Sequence, residues 1–144
     1  MAPAPRASTD WKVVVNNVDL SAWAFDVQID DTRNQLDASG FNPNNASTFI
    51  PGIRDQTVTV SFRADWQSGG PNQTIEPLFR GGSTFKFYVM GDSDTGTTSA
   101  NPLYGGSSSC YSFPVGATLN EVENIEVAFR PASGSVFNWG TVAP

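Results

Sequence analysis

FIPGIRDQTVTVSFRADWQSGGPNQTIEPLFRGGSTFKFYVM, residues 49–90, decides the fold. Thr57, Thr59, Ser61 and Arg63 fall on one phase of a period-two alternation, and Val58, Val60, Phe62 and Ala64 on the other. That pattern predicts a strand wet on one side and buried on the other. Residues 74–80 then give about two helical turns. Gly81 and Gly82 follow and supply the positive φ that ends a helix. Phe85, Phe87 and Val89 alternate with Lys86, Tyr88 and Met90 in a second strand. Before the first strand, Ile50-Pro51-Gly52 reads as a turn. Strand, helix and strand thus form a unit in which Ile75, Leu78 and Phe79 should cover Val58, Val60 and Phe62.

Outward from this unit the alternation recurs. Residues 11–15 form a strand, and Asn16-Asn17 suits a tight hairpin turn into 18–20, because Asn tolerates positive φ. Residues 19–23 read as a corner. Phe25, Val27 and Ile29 alternate with Asp26, Gln28 and Asp30, and residues 33–38 continue that strand or pair with it. Residues 39–48 (SGFNPNNAST) and 91–104 (GDSDTGTTSANPLY) have loop composition. Loops of this length are uncommon unless they have a task. Residues 105–113 form a strand, residues 114–120 turn, and Ile125, Val127 and Phe129 mark another strand. Residues 1–10 read as an extended arm and 131–144 as a tail. The expectation is one mainly β domain spanning 1–144: a β-sandwich or barrel of about six to eight strands with one short helix packed on a sheet.

Composition narrows function. The 144 residues include ten Phe, four Trp and three Tyr, enough to bury a core. No run approaches the ~18 apolar residues of a membrane helix, so no membrane anchor is expected. No secretion signal is read at the N-terminus. The formal charge of −6 with only eight Lys and Arg argues against a surface that grips nucleic acid. A low charged fraction, 15%, with abundant Ser, Thr, Asn and Gly suits a surface covered by neighbours.

Catalytic chemistry finds little footing. There is no histidine, which removes the commonest general base and the usual Ser-His pair. Asp26 with Asp30, or Glu121 with Glu123 and Glu126, could serve as paired carboxylates, but their spacing is that of solvated strand faces. The single cysteine, Cys110, reads as a small buried hydrophobe. Asp92-Ser93-Asp94-Thr95-Gly96 resembles the front of a calcium loop without its remaining ligands. Asn45 and Asn72 begin glycosylation triplets that carry no weight without a secretion signal. Gly105-Gly106 and Gly69-Gly70-Pro71 read as turns and not phosphate cradles, since no GK[ST] follows. Trp11, Trp23, Trp66 and Trp139 suit core or intersubunit anchors, and leave a carbohydrate-binding β-sandwich module as the alternative of another class. No enzymatic activity and no cofactor are expected.

The succession VNNVDLSAWAFDVQID, polar loop, FIPGIRDQTVTVSFRADW, short helix and GGSTFKFYV resembles the tail tube (major tail) proteins of long-tailed bacteriophages. The resemblance rests on Val18, Asp19, Leu20 and Ser21 in a hairpin, on Ile50, Pro51, Gly52 and Asp55 in a turn, and on Asp65 and Trp66 before the helix. It spans about residues 13–129. Head-decoration and head-tail joining or tail-completion proteins share parts of it and are the second reading. The resemblance implies a virion protein of the tail, assembled in the host cytoplasm into stacked hexameric rings with other tail proteins, around a lumen that conducts DNA without sequence-specific binding. Six copies at −6 would put about −36 charges on each ring, a wall along which DNA slides. Lumen candidates on this reading are Asp26, Gln28, Asp30, Thr57, Thr59, Ser61 and Glu126, partly offset by Arg63 and Lys86. Candidates for contacts between subunits are Phe41, Phe49, Ile50, Pro51, Trp11 and Trp139.

Overall fold

A computed structural model describes residues 11–41, 47–91, 97 and 101–144. The expected arm at 1–10, the Asp92–Asp94 loop and Asn45 lie outside the described residues. Nine strands join in one antiparallel sheet, with a single helix among the described residues. The strands are β1 (Lys12–Val15), β2 (Val18–Asp19), β3 (Ala24–Asp37), β4 (Phe49–Arg63), β5 (Phe85–Met90), β6 (Leu103–Ser112), β7 (Val115–Gly116), β8 (Asn124–Pro131) and β9 (Asn138–Gly140). Helix α1 spans Pro71–Gly81 between β4 and β5. The order across the sheet is β2-β1-β5-β6-β8-β4-β3, with β7 beside β8 and β9 beside β6. The expected six to eight strands become nine because the turn at 114–120 and the tail at 131–144 each contain a short pairing segment.

The period-two reading of 57–64 holds: Val58, Val60 and Phe62 are fully buried. The strand itself is longer than the alternation showed. Ile50-Pro51-Gly52 is not a turn; it lies inside β4, opposite Gln35 and Leu36. Pro51 is tolerated because β8 pairs β4 only from Val58 onward, so the missing N–H costs no bond on that side. A register shift between Arg33 and Gln35 marks a bulge here. A Cβ on Gly52 would approach the Asn34 carbonyl to 3.1 Å and Leu36 Cγ to 3.2 Å, so glycine lets the bulge close. Residues 33–38 prove to be the continuation of β3. At the opposite end of the sheet, Asn16 and Asn17 hold φ of 51° and 65°, the hairpin turn their sequence called for.

Helix α1 begins three residues before the expected start. Pro71 stands at the first helical position, where its missing N–H is harmless. Gly70 precedes it because a Cβ there would lie 2.6 Å from the Asp65 carbonyl oxygen. Residues 69–71 are therefore a helix start as well as a turn. Gly82, at φ 64°, caps the helix by donating its N–H to the Phe79 carbonyl; Gly81 is still helical. Ile75 is buried in the core and Leu78 packs against it. Phe79 does not cover β4 as expected: it is exposed at the helix end and stacks on Phe113 at 6.1 Å.

The core is a run of aromatic rings along β5, β8 and the C-terminal segment. Phe87 stacks on Phe129 at 4.3 Å, Phe137 meets Phe87 at 5.9 Å, and Tyr104 meets Phe137 at 5.8 Å. Phe137 is fully buried, so residues 131–144 are not a loose tail. Gly105 and Gly106 make this possible and are strand residues, not a turn. A Cβ at Gly105 would sit 2.1 Å from the Phe87 carbonyl oxygen, and one at Gly106 would meet the Val136 carbonyl oxygen at 2.9 Å. Gly105→Ala is expected to cost ~3 kcal/mol or more, because backbone on β5 must move. Gly140→Ala, whose Cβ would meet nothing within 4 Å, is expected to stay within about 0.5 kcal/mol. Urea denaturation of both variants checks the contrast.

Candidate functional site: a polar wall and a braced arm

The register of β3, β4 and β8 gathers all seven lumen candidates on one face. Asp26 lies opposite Ser61 and Ser61 opposite Glu126; Gln28 lies opposite Thr59, and Asp30 opposite Thr57. Hydroxyls run down the middle strand with carboxylates on either side. The alternate residues Val27 and Ile29 pair with Val60 and Val58 and pack on the core. A one-residue slip would exchange the two faces, so the buried valines fix which side is polar.

Positive charge on this wall is tethered. The Arg63 guanidinium lies 4.0 Å over the Phe25 ring and donates to Asn124 Oδ1 at 2.8 Å. Arg130 pairs with Asp55 at 3.3 Å. Lys86 Nζ donates to Ser107 Oγ at 3.2 Å. Among the described residues, no cation forms an ion pair with Asp26, Asp30 or Glu126. Asp26, Asp30 and Glu126 therefore stand as unpaired carboxylates on a wall that Arg63 and Lys86 also share.

Beyond the reach of β8, β3 and β4 continue alone as a two-stranded arm. It carries Leu36 opposite Ile50 and Asp37 opposite Phe49, with Phe41 just past it. Phe41, Phe49, Ile50 and Ile53 are exposed, as is Pro51. Of the other intersubunit candidates, Trp11 is half-buried against the core. Trp139 is half-exposed and tilted against the Tyr104 ring at 4.9 Å. Trp23 is committed inside the fold, donating Nε1–H to Asp65 Oδ2 at 3.0 Å. Cys110 is buried, and burial pushes its thiol up.

The base of the arm is held by a polar cluster that sequence reasoning missed. Gln56 is only 4% exposed. Its amide accepts the Phe137 N–H at 3.0 Å and donates to the Phe137 carbonyl at 2.6 Å, so a side chain pairs with the main chain as a neighbouring strand would. The same Nε2 lies 2.8 Å from Tyr104 Oη and 3.1 Å from Asp31 Oδ2. Arg54 closes the cluster with Nε to Asp31 Oδ1 at 2.8 Å and a second bond to Oδ2. The Arg54 hydrogen bond comes first among the causes that bring Asp31 down to about 2. Burial, then the Asp31 hydrogen bond, pushes the Tyr104 hydroxyl up to about 12. A signal for the cluster was present: Gln56 is the polar residue on the phase otherwise held by Val58, Val60 and Phe62.

Gln56→Leu is expected to lose ~1–3 kcal/mol, since it strands the Phe137 main-chain groups without partners. Hydrogen exchange should quicken at Phe137 before it quickens at Val127 or Phe129. Asp31 is lower in the folded chain than unfolded, so its contribution is complete above the unfolded carboxylate range near pH 4 and is lost as pH falls toward 2. Wild type should therefore lose more stability than Asp31→Asn between pH 4 and 2, measured by denaturant titration at each pH.

No protein-family model and no curated protein sequence matches the chain. Solved structures do. A chain of a native gene transfer agent virion aligns at TM-score 0.71 and 13% identity, over 93% of this chain and 99% of that one. A chain from the tail of an empty gene transfer agent particle, of C6 symmetry, aligns at TM-score 0.73 and 11% identity, over 94% and 98%. The SPP1 tail tube aligns at TM-score 0.71 and 14% identity, over 96% and 81%. The chain shares its fold with tail tube proteins, the family its sequence resembles.

Proposed function

We propose that the protein is the subunit of a phage tail tube, a structural virion protein that forms stacked hexameric rings and conducts DNA along their lumen. The single observation that carries this reading is the polar wall, in a fold shared along nearly its full length with a tail of C6 symmetry. The exposed outer edge of β3, fourteen residues long, is an association surface that a ring would cover by pairing it with the next subunit. Asp26, Gln28, Asp30, Thr57, Thr59, Ser61 and Glu126 line the lumen, and unpaired carboxylates keep passing DNA from adhering. Phe41, Phe49, Ile50 and Pro51 on the arm, with Trp11 and Trp139, make contacts between subunits and with other tail proteins. No enzymatic step is needed for this role.

Negative-stain microscopy and native mass measurement of the purified protein should show six-fold rings or tubes. A monomer that persists at high concentration would overturn the reading. Deleting residues 39–48 should leave folding intact by circular dichroism while rings no longer stack. Replacing Asp26 and Asp30 together by Lys should convert assembled tubes from indifferent to DNA-retaining in low-salt sedimentation. The retention should fade as salt screens the wall within ~10 Å.

A further inference from the structure

The chain after β8 is held in place by few contacts. Ala132 donates its N–H to the Ser107 carbonyl at 3.0 Å, and Ser135 closes a turn onto the Ala132 carbonyl at 2.8 Å. Gly134 sits in that turn at φ 77°, a conformation that residues with side chains resist. Beyond the turn, β9 pairs only with β6, over Leu103↔Gly140, Tyr104↔Trp139 and Gly105↔Asn138. Of residues 133–140, Phe137 alone is buried. Val136 and Trp139 are each about half exposed. Beside Val136 an open cleft of about 400 Å³ reaches Arg54, Gln56, Tyr111 and Arg130. The segment thus has open space along one flank.

Two further ties run to the base of the arm. Gln56 pairs with both main-chain groups of Phe137, at 3.0 and 2.6 Å. Arg54 Nη1 donates to Asn138 Oδ1 at 3.3 Å. Both residues precede Val58 on β4, where β8 does not pair and only β3 does. The dependence runs both ways. With the segment lifted, the Gln56 amide loses its main-chain partners, and the two-stranded arm loses its flanking support at the base. With the arm frayed, the segment keeps its aromatic contacts and the short pairing with β6 but loses the hydrogen bonds from β4. A segment anchored by one ring and a handful of hydrogen bonds opens well below the free energy of global unfolding.

We propose that residues 133–140 are a strap whose seating governs the order of the β3–β4 arm. The two sites it links are the exposed Trp139 on the strap and the arm tip with Phe49 and Ile50. Gln56 is common to both, and the path along β4 from Gln56 to Ile50 is about 20 Å at ~3.4 Å per residue. Whatever steadies the strap steadies the arm, and by linkage the reverse holds with equal strength. On the tube reading, a neighbour seated on Trp139 orders the arm before the arm makes its own contact. The coupling belongs to the single subunit, so it stands or falls apart from that reading.

Hydrogen exchange followed by mass spectrometry on the full-length chain in dilute solution tests the coupling in both directions. Phe137→Leu loosens the strap from the core. It should quicken exchange about tenfold in 31–37 and 49–56 and leave 58–62 and 125–129 protected. Gly52→Val strains the bulge in the arm, since its Cβ would crowd the Asn34 carbonyl. It should quicken exchange at 137–140 by a similar factor. If each variant speeds exchange only in the element it alters, the inference is overturned. Equal quickening in 58–62 and 125–129 would overturn it too, because strap and arm would then open only with the whole fold. Should Phe137→Leu fail to fold, Gly52→Val still decides through its effect at 137–140.

Discussion

Everything that projects from this molecule depends on one amide side chain. Gln56 stands where β4 loses β8 as a neighbour and keeps only β3. By pairing with both main-chain groups of Phe137 it gives β4 a second neighbour at that point, where β8 no longer supplies one. A two-stranded ribbon alone in water is at best marginally stable. Braced at its base by Gln56, Asp31, Arg54 and Tyr104, the ribbon leaves the sheet from a fixed platform. The brace also holds Phe137 in the aromatic run, so the C-terminal segment and the arm share one support.

The polar wall follows from a different economy. That face is polar because its alternate residues are buried. Val58, Val60, Phe62, Val127 and Phe129 fix the register, and Thr57, Thr59, Ser61 and Glu126 take the side that remains. The wall's sign depends on where its cations are tied. Asp55 offsets the charge of Arg130, while Phe25 and Asn124 fix the position of Arg63 without cancelling its charge.

Period-two alternation made the long central strands, the Asn16-Asn17 hairpin and the helix cap at Gly82 legible, and with them the membership of the wall. What it could not reveal was set by distant partners. Pro51-Gly52 reads as a turn because its composition is that of one; only the absence of β8 at that level lets it lie in a strand. Phe137 reads as part of a tail because the space it fills is created by Gly105 and Gly106, some thirty residues away. Gln56 did break the apolar phase of its strand. A single polar residue in such a phase has several readings until Tyr104 and Asp31 are brought beside it by β6 and β3.

The unequal edges of the sheet have a consequence for the free subunit. One boundary, β2, is two residues long, while the other, β3, exposes fourteen. Asp26, Asp30 and Asp37 stud that long boundary, and two copies approaching edge to edge bring like charges together. On the tube reading proposed above, this repulsion disfavours the pairing of two β3 edges and leaves growth to a surface of different charge. The guard is electrostatic and so depends on ionic strength: raising salt removes it faster than it weakens apolar contacts. For a subunit of such a tube, the surrounding electrolyte then sets how readily two long edges meet.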